Sequence, residues 1–94
     1  MKGKVVVVAG TATAAAAEAA RLMAAAGANL VLMDRDQRAG HRLTLALNAG
    51  NRGVAVFVPG DPADAGDLAE AVAEARRSWG GCDLVLSPLT EPRQ

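Results

Sequence analysis

Few side chains of this sequence are suited to acid–base, nucleophilic or metal chemistry, and those few stand apart. The single histidine, His41, lies among charged residues of a predicted helix, where a solvated position is the simplest interpretation. The single cysteine, Cys82, excludes an internal disulfide and any site built from several cysteines. The charged residues between Glu70 and Arg77 are typical of a solvated helix face. We therefore predict no catalytic residue and no metal site.

The composition predicts one small folded unit with a modest core. A chain of 94 residues is too short for a two-domain enzyme. Hydrophobic residues make up 51% of it, but 22 of them are alanines, and the only aromatic residues are Phe57 and Trp79. Ten basic residues balance ten acidic ones. This zero net charge gives no electrostatic reason to expect nucleic acid or an anionic membrane as a partner.

The N-terminal region imitates a secretion signal, because two lysines precede a β-branched run and an alanine-rich stretch. Strong hydrophobicity lasts only from Val5 to Val8, however. The longest uncharged run, Val5 to Ala17, has 13 residues and is too short to cross a bilayer. We therefore expect a cytoplasmic protein without a membrane segment.

Two hydrophobic periodicities alternate along the chain. Short apolar runs predict strands at Val5–Val8, Asn29–Met33, Val54–Val58 and Asp83–Leu86. The segments between them predict helices over Thr13–Ala26, over Asp36–Asn48, and from the N-cap Asp64 to Ser78. Glycines are predicted to end these helices, at positions 27, 50 and 80–81.

The helical spacing also predicts which faces are buried. On the first helix the predicted buried face consists of Ala15, Ala19, Leu22 and Ala26. On the second helix it contains Leu43 and Leu47. On the third helix it consists of Leu68, Val72, Ala75 and Trp79. These three faces must cover the predicted strands.

The order β-α-β-α-β-α-β with short connections predicts an α/β fold, a parallel sheet with helices on its faces. Right-handed crossovers place the strands in the order 3-2-1-4. Neither a linker nor a longer repeat divides the sequence, so we predict a single domain over residues 1–94. This architecture is half of a doubly wound Rossmann sheet.

Four segments of the sequence resemble the short-chain dehydrogenase/reductase family. They are similar to its K-x-K-V-A-L-V-T-G opening, its first helix and second strand, its V-x-x-D-V-T-D segment and its F-G-x-x-D-V-L-V segment. The matching residues are Lys2–Gly10, Ala24–Asp36, Val56–Asp64 and Trp79–Leu86. The match runs from residue 2 to residue 87 without a gap. This resemblance implies a truncated Rossmann-like NAD(P)-binding domain, the N-terminal cofactor half of the family fold.

The phosphate loop of the family reads T-G-x-x-x-G-x-G, and this chain keeps only its first glycine. Ala14 and Ala16 stand where the other two glycines would let the backbone approach the pyrophosphate closely. Free N–H groups at the start of the helix still favour a phosphate. The resemblance therefore implies weakened cofactor binding at Gly10, Thr11, Thr13 and Ala15. A helix start that only packs on the sheet is an equal alternative.

The resemblance implies further cofactor contacts where the later strands end. Asp34 would accept hydrogen bonds from the adenosine ribose and favour NAD over NADP, whereas the adjacent Arg35 would attract a 2′-phosphate. Asp61, followed by Pro62, matches the aspartate that contacts the adenine amino group, and Ser87 begins the segment that lines the cleft. The structural alternatives are that Asp34 and Asp36 only cap the next helix and that Asp61 shapes a turn.

Two departures from the family pattern bear on catalysis. Where family members read N-N-A-G after the fourth strand, this chain reads S-P-L-T from Ser87 to Thr90. It contains no tyrosine, and its lysines are Lys2 and Lys4. The family's Tyr-x-x-x-Lys pair, which protonates the carbonyl oxygen, therefore has no counterpart. We expect the chain alone to lack the catalytic Ser, Tyr and Lys of the family.

Two functions from different classes follow from these observations. The first is a module related to NAD(P)-dependent oxidoreductases, with residual or lost NAD(H) binding and no catalysis of its own. The second is a non-enzymatic interaction module, because a sheet that ends at Val85 and Leu86 exposes a strand edge to a second copy or a complementing chain. A fragment of a longer protein, or an engineered alanine-rich chain, is the third interpretation.

Overall fold

The computed structural model describes residues 1–51 and 54–87. The elements in this part of the chain alternate between strand and helix, as predicted. They are β1 (Val5–Ala9), α1 (Ala14–Ala25), β2 (Asn29–Asp34), α2 (Gln37–Asn51), β3 (Ala55–Pro59), α3 (Ala65–Trp79) and β4 (Leu84–Leu86). The strands are parallel and lie in the order β3-β2-β1-β4, which confirms the predicted half-Rossmann topology.

The sheet is covered on both faces, and this explains the β-branched composition of β1. All five residues of β1 are buried. Val6 and Val8 belong to the cluster on the side of α1 and α2, whereas Val5 and Val7 belong to the cluster on the side of α3. Because successive side chains of a strand point to opposite faces, a strand buried on both sides is apolar at every position.

The predicted buried face of α1 is wrong except at Ala19, which packs partly buried against the cluster on this side of the sheet. Ala20, Met23 and Ala24 are buried, whereas the side chain of Leu22 is 64% exposed. The stripe facing the sheet consists mainly of alanines, whose small side chains let the helix pack closely on the strands.

The predicted faces of the other two helices are confirmed. Leu43 and Leu47 of α2 are buried. The cluster on the other face of the sheet includes the four predicted α3 residues, Leu68, Val72, Ala75 and Trp79.

The end of α2 also differs from the sequence prediction. Gly50 was expected to close this helix, but the helix continues through it to Asn51. A Cβ atom at Gly50 would have no neighbour within 4 Å, so this glycine occupies an ordinary, open helical position.

Both ends of α3 agree with prediction, because Asp64 is its N-cap and Gly80 is its C-cap. In α1, Thr13 is the N-cap rather than the first helical residue, and Ala26 rather than Gly27 is the C-cap.

The outer strand β3 is held closely by α2. A Cβ atom at Gly40 would lie 2.0 Å from a ring carbon of Phe57, so only glycine allows this approach. The ring of His41, which is exposed as predicted, lies 4.6 Å from that of Phe57. The Asn48 amide donates to the carbonyl oxygen of Ala55 and accepts from its N–H, both at 2.8 Å. One side chain of α2 therefore satisfies both polar groups of Ala55.

The opposite outer strand, β4, is shorter and more exposed. It pairs with β1 in the register Val6 to Leu84 and Val8 to Leu86. Leu84 and Leu86 are 43% and 37% exposed. Asp83 fixes the start of the strand, because its carboxylate accepts from the Val5 N–H and its own N–H donates to the Val5 carbonyl oxygen, both at 2.8 Å.

Candidate functional site

A crevice of about 470 Å³ opens where β1 and β4 end. The chain crosses to β2 on one side of β1 and reaches β4 on the other side, so the strand order reverses at this point. Ligands of open α/β sheets bind at such reversals, beyond the carboxyl ends of the strands. The crevice walls are formed by Val8, Ala9, Gly10, Thr13, Ala15, Ala16, Ala19, Pro62, Leu86 and Ser87.

The loop between β1 and α1 forms the floor of this crevice. Gly10 has a φ of +90°, a conformation that L side chains rarely adopt, and its N–H donates to the Met33 carbonyl oxygen at 2.7 Å. Thr13 is the N-cap of α1, and its Oγ1 accepts from the Ala16 N–H at 3.1 Å. The helix therefore directs its positive dipole end toward the crevice, which favours an anionic group there.

Asp34 connects this loop to the next helix. Its side chain is 7% exposed. Oδ2 accepts from the Ala12 N–H at 2.9 Å, and Oδ1 accepts from the Asp36 N–H at 2.8 Å. Each carboxylate oxygen keeps a further lone pair for another donor. The helix cap itself is Asp36, whose Oδ1 accepts from the Ala39 N–H at 3.0 Å.

The turn after β3 places Pro62 on the far wall of the crevice. Asp61 organises this turn, because its Oδ1 accepts from the Ala63 N–H at 2.9 Å. The Asp61 N–H donates to Oδ2 of Asp67 at 2.9 Å, which joins the turn to the first turn of α3. The structural role expected for Asp61 is thus present, and its carboxylate still has lone pairs for a ligand.

The structure brings together only part of the predicted cofactor-binding set. Gly10, Thr13, Ala15, Pro62 and Ser87 line the crevice. Asp34 and the exposed Arg35 lie beside the crevice, where β2 ends. Asp61 directly precedes Pro62, which lines the crevice. Thr11 instead lines a separate groove between α1 and α2. Of the predicted S-P-L-T departure, only Ser87 lies within the described residues.

Sequence reasoning missed the apolar walls of the crevice. Val8, Ala19 and Leu86 line it but were interpreted only as core or strand residues. Residue alternation in β4 was the available signal, since it places Leu86 on the same side of the sheet as Val8.

Within residues 1–51 and 54–87, no three His, Cys, Asp or Glu side chains lie close enough to hold a metal ion. No helix in the same residues has the length and apolar character needed to cross a bilayer.

A strand-order reversal beside a helix N-terminus defines the Rossmann type of nucleotide-binding fold. A family model described as "Enoyl-(Acyl carrier protein) reductase" matches residues 10–89, which is most of the chain. Together with the structural matches below, this confirms the resemblance inferred from the four sequence segments. The chain belongs to the short-chain dehydrogenase/reductase family.

Several solved structures are similar to this chain. L-sorbose reductase from Gluconobacter frateurii, complexed with NADPH and L-sorbose, is 27% identical with a TM-score of 0.81. A short-chain dehydrogenase/reductase from Burkholderia phymatum in complex with NAD is 26% identical with a TM-score of 0.83. A 3-ketoacyl-(acyl-carrier-protein) reductase from Brucella melitensis complexed with NADH is 26% identical with a TM-score of 0.78.

The coverage of these matches is strongly asymmetric. They include 90%, 89% and 89% of this chain, but only 32%, 30% and 33% of the respective solved chains. The chain therefore spans about a third of the length of the proteins it matches.

Proposed function

We propose that this chain is a nucleotide-binding module of the oxidoreductase type and that its crevice takes the ADP portion of NAD(H). The observation that carries the proposal is the crevice at the strand-order reversal, with the α1 N-terminus on its floor and Asp34 beside it. Its volume suits a small-molecule site. The family membership and the nicotinamide cofactors named for the similar structures support the same ligand class.

We propose NAD rather than NADP because of the residue that ends β2. Asp34 is buried, and two backbone N–H groups hold its carboxylate in place. A carboxylate at this point accepts hydrogen bonds from ribose hydroxyls and repels a 2′-phosphate. Arg35 would favour the phosphate, but it is exposed, whereas Asp34 is buried and held in place by two hydrogen bonds.

We further propose that binding is weak, because alanines replace glycines in the phosphate loop. Ala16, one of the two alanines that stand at glycine positions of the family loop, is among the residues that line the crevice. The Ala16 N–H is also occupied, since it donates to Thr13 Oγ1. Fewer N–H groups and less space are therefore offered to a pyrophosphate than in a glycine loop.

Catalysis by the family mechanism is not proposed for these 94 residues on their own. They include no tyrosine, and both lysines precede β1 at Lys2 and Lys4. The proton donor of the reaction would have to come from elsewhere. The cytoplasmic location expected from the sequence stays a prediction.

Calorimetric titration with NADH, NADPH and AMP tests the proposed ligand. We expect saturable heat with NADH, weaker binding of NADPH, and loss of that preference in Asp34→Asn, which removes the charge that repels the 2′-phosphate. Asp64→Asn, at the α3 N-cap, is the matched control and keeps the preference. No heat with any ligand, or NADPH binding as tight as NADH binding, would contradict the proposal.

A glycine-restoring variant tests the alanine effect separately. The double change Ala14→Gly and Ala16→Gly should strengthen NADH binding by about tenfold or more, since it reopens the loop to the pyrophosphate. An affinity that stays undetectable in this variant would mean that the binding geometry is absent.

A second candidate function is assembly through β4, either with a second copy or with a complementing chain. The observation in its favour is the exposure of Leu84 and Leu86, two large apolar side chains of a short outer strand. Apolar outer strands invite pairing with another chain.

Sedimentation velocity over a hundredfold concentration range tests this second candidate. We expect a dimer that Leu84→Lys disrupts, because a charge at the strand edge opposes pairing. Leu45→Lys is the matched control, since Leu45 is exposed on α2. A monomer at every concentration would count against self-association, and equal disruption by both variants would place the contact elsewhere.

A further inference from the structure

The loop between β1 and α1 is hydrogen-bonded at two points to the end of β2. The Gly10 N–H donates to the carbonyl oxygen of Met33 at 2.7 Å, and the Ala12 N–H donates to Oδ2 of Asp34 at 2.9 Å. The first bond joins two backbone groups, whereas the second depends on the Asp34 side chain. A substitution at residue 34 therefore releases the loop at Ala12 while the backbone bond of Gly10 stays in place.

The bond between Ala12 and Asp34 is needed by the carboxylate more than by the loop. Ala12 is exposed, so water can accept from its N–H when the carboxylate is absent. Asp34 is only 7% exposed, and a buried carboxylate is stable only where donors surround it. The bond thus holds a loop residue that is otherwise open to solvent against a side chain that belongs to the buried sheet.

The position of Ala12 determines where the first N–H groups of α1 lie. The helix begins at Ala14, and the N–H groups of Ala14 and Ala15 precede the first acceptor that the helix itself provides. The Ala16 N–H donates to Thr13 Oγ1 instead. Ala15 lines the crevice. A pyrophosphate in the crevice would therefore meet the N–H groups of Ala14 and Ala15.

We propose that Asp34 is a positioning residue for the loop between β1 and α1, in addition to its role at the ribose. Its carboxylate holds the Ala12 N–H and, through it, the N-terminus of α1 at the crevice. The inference rests on the proposed nucleotide site and adds a second role at the phosphate end of that site. Asp34 acts there through Ala12 and not through contact with the phosphates.

The charge of Asp34 and its hydrogen bond to Ala12 have opposite effects on a bound phosphate. A carboxylate repels an anion, so the loss of the charge alone strengthens phosphate binding. The loss of the bond to Ala12 lets the helix N-terminus shift from the crevice, and phosphate binding then weakens. Inorganic pyrophosphate separates this role from ribose recognition, because it has no ribose for Asp34 to bind.

Titration of the ¹⁵N-labelled chain with inorganic pyrophosphate, followed through the NMR shifts of the Ala14 and Ala15 amides, tests the role. In Asp34→Asn, the side-chain oxygen can keep the local bond to the Asp36 N–H, and an NH₂ donor then faces the Ala12 N–H. We expect the affinity for pyrophosphate to fall about fivefold, which corresponds to the loss of one hydrogen bond.

Asp36→Asn is the matched control for the charge. It removes the same charge two residues away, and asparagine still accepts from the Ala39 N–H as the cap of α2. This variant should bind pyrophosphate as tightly as the wild type or slightly more tightly. If Asp34→Asn binds pyrophosphate as tightly as Asp36→Asn does, Asp34 acts only through its charge and the positioning role is wrong.

A second variant removes the donor instead of the acceptor. Ala12→Pro has no N–H at this position but leaves the Asp34 carboxylate and its charge intact. Its affinity for pyrophosphate should fall to a similar extent, whereas NADH should still bind more tightly than NADPH. Ala12→Ser keeps the N–H and should keep the wild-type affinity. Unchanged pyrophosphate binding in Ala12→Pro would overturn the proposal.

Hydrogen exchange in the chain without ligand distinguishes a failure of this role from a failure of the nucleotide site. The Ala12 amide should exchange about tenfold faster in Asp34→Asn than in the wild type. The Gly60 amide is the internal control, because it donates to the backbone carbonyl oxygen of Asp34 at 3.3 Å, which the variant retains. Equal exchange of the Ala12 amide in both proteins refutes the positioning role even where NADH binds. A wild type that binds neither pyrophosphate nor NADH refutes the nucleotide site, and exchange then still decides whether Asp34 holds the loop.

Discussion

The two outer strands of the sheet, β3 and β4, are covered to different extents by the rest of the chain. At β3, the Asn48 amide satisfies both polar groups of Ala55, and the Phe57 ring fits against the bare backbone of Gly40. At β4, only three residues pair with β1, and Leu84 and Leu86 are exposed. At β3, α2 thus satisfies the polar groups of Ala55 and packs against Phe57, whereas β4 presents apolar surface.

The difference teaches that the chain's own helix covers one outer strand of the sheet better than the other. An outer strand attracts foreign strands through unpaired N–H and C=O groups, and covering those groups removes the attraction. Asn48 does so for Ala55 because α2 leads directly into β3. Among the described residues, β4 is the outer strand whose large apolar side chains are exposed.

Among substitutions that test the contacts of β3 with α2, Gly40→Ala is expected to lower the free energy of unfolding most. The new Cβ would lie 2.0 Å from the Phe57 ring, so the ring or α2 must move. Overpacking of this kind should lower the free energy of unfolding by about 3 kcal/mol. Urea denaturation followed by circular dichroism measures the change.

Gly50→Ala is the control in the same helix. A Cβ atom there has no neighbour within 4 Å, so the substitution should stabilise the protein by about 0.5–1 kcal/mol through its helix propensity. Equal destabilisation by both changes would mean that the Phe57 contact does not close the β3 edge.

A smaller effect is expected from Asn48→Ala, which opens the β3 edge without a steric clash. Two hydrogen bonds to Ala55 are lost, so the free energy of unfolding should fall by about 2 kcal/mol. The freed backbone groups should also increase self-association, as measured by light scattering. Leu45→Ala, on the exposed face of α2, should change stability by less than about 0.5 kcal/mol. If Asn48→Ala changes neither the free energy of unfolding nor self-association, Asn48 does not protect the outer edge of β3.

The smallest effect is expected on α3, which gives a reference away from both edges. Hydrogen bonds from Ser78 and then from Arg77 lower the pKa of Glu74 below its usual value of 4.5. Because the folded-state pKa is the lower one, this contribution to stability is complete above pH 4.5 and is lost as the pH falls through the folded-state value. Glu74→Gln should therefore remove a small part of the acid sensitivity of unfolding, as followed between pH 6 and pH 3. An unchanged acid profile would show that these exposed contacts do not contribute.

Much of the fold was predictable because hydrophobic periodicity changes sharply between elements. Val5 to Val8 is typical of a strand buried on both faces, and short connections with right-handed crossovers then favour one strand order. The buried face of α1 was mispredicted because the faces of an alanine-rich helix differ little in hydrophobicity. Leu22, as the larger apolar side chain, was therefore predicted to be buried. Only packing reveals that Ala20 and Ala24 face the sheet.

The site was predictable in position but less so in detail. Gly10 could be placed because it follows the first buried strand, and the crevice forms beside it. Spacing does not reveal side-chain direction in a loop, however, so Thr11 was grouped with Thr13 although the two line different grooves. The role of Asn48 had no sequence signal, because its partner Ala55 contributes only backbone atoms.

The two backbone hydrogen bonds of Asp34 have an entropic consequence for any ligand. Because the Ala12 and Asp36 N–H groups already fix its carboxylate, the side chain has little rotational freedom left to lose on binding. The cost of ordering this acceptor is met during folding rather than during recognition. A hydroxyl group that reaches Asp34 thus encounters a rigid acceptor, and the loop that Asp34 holds is ordered at the same time.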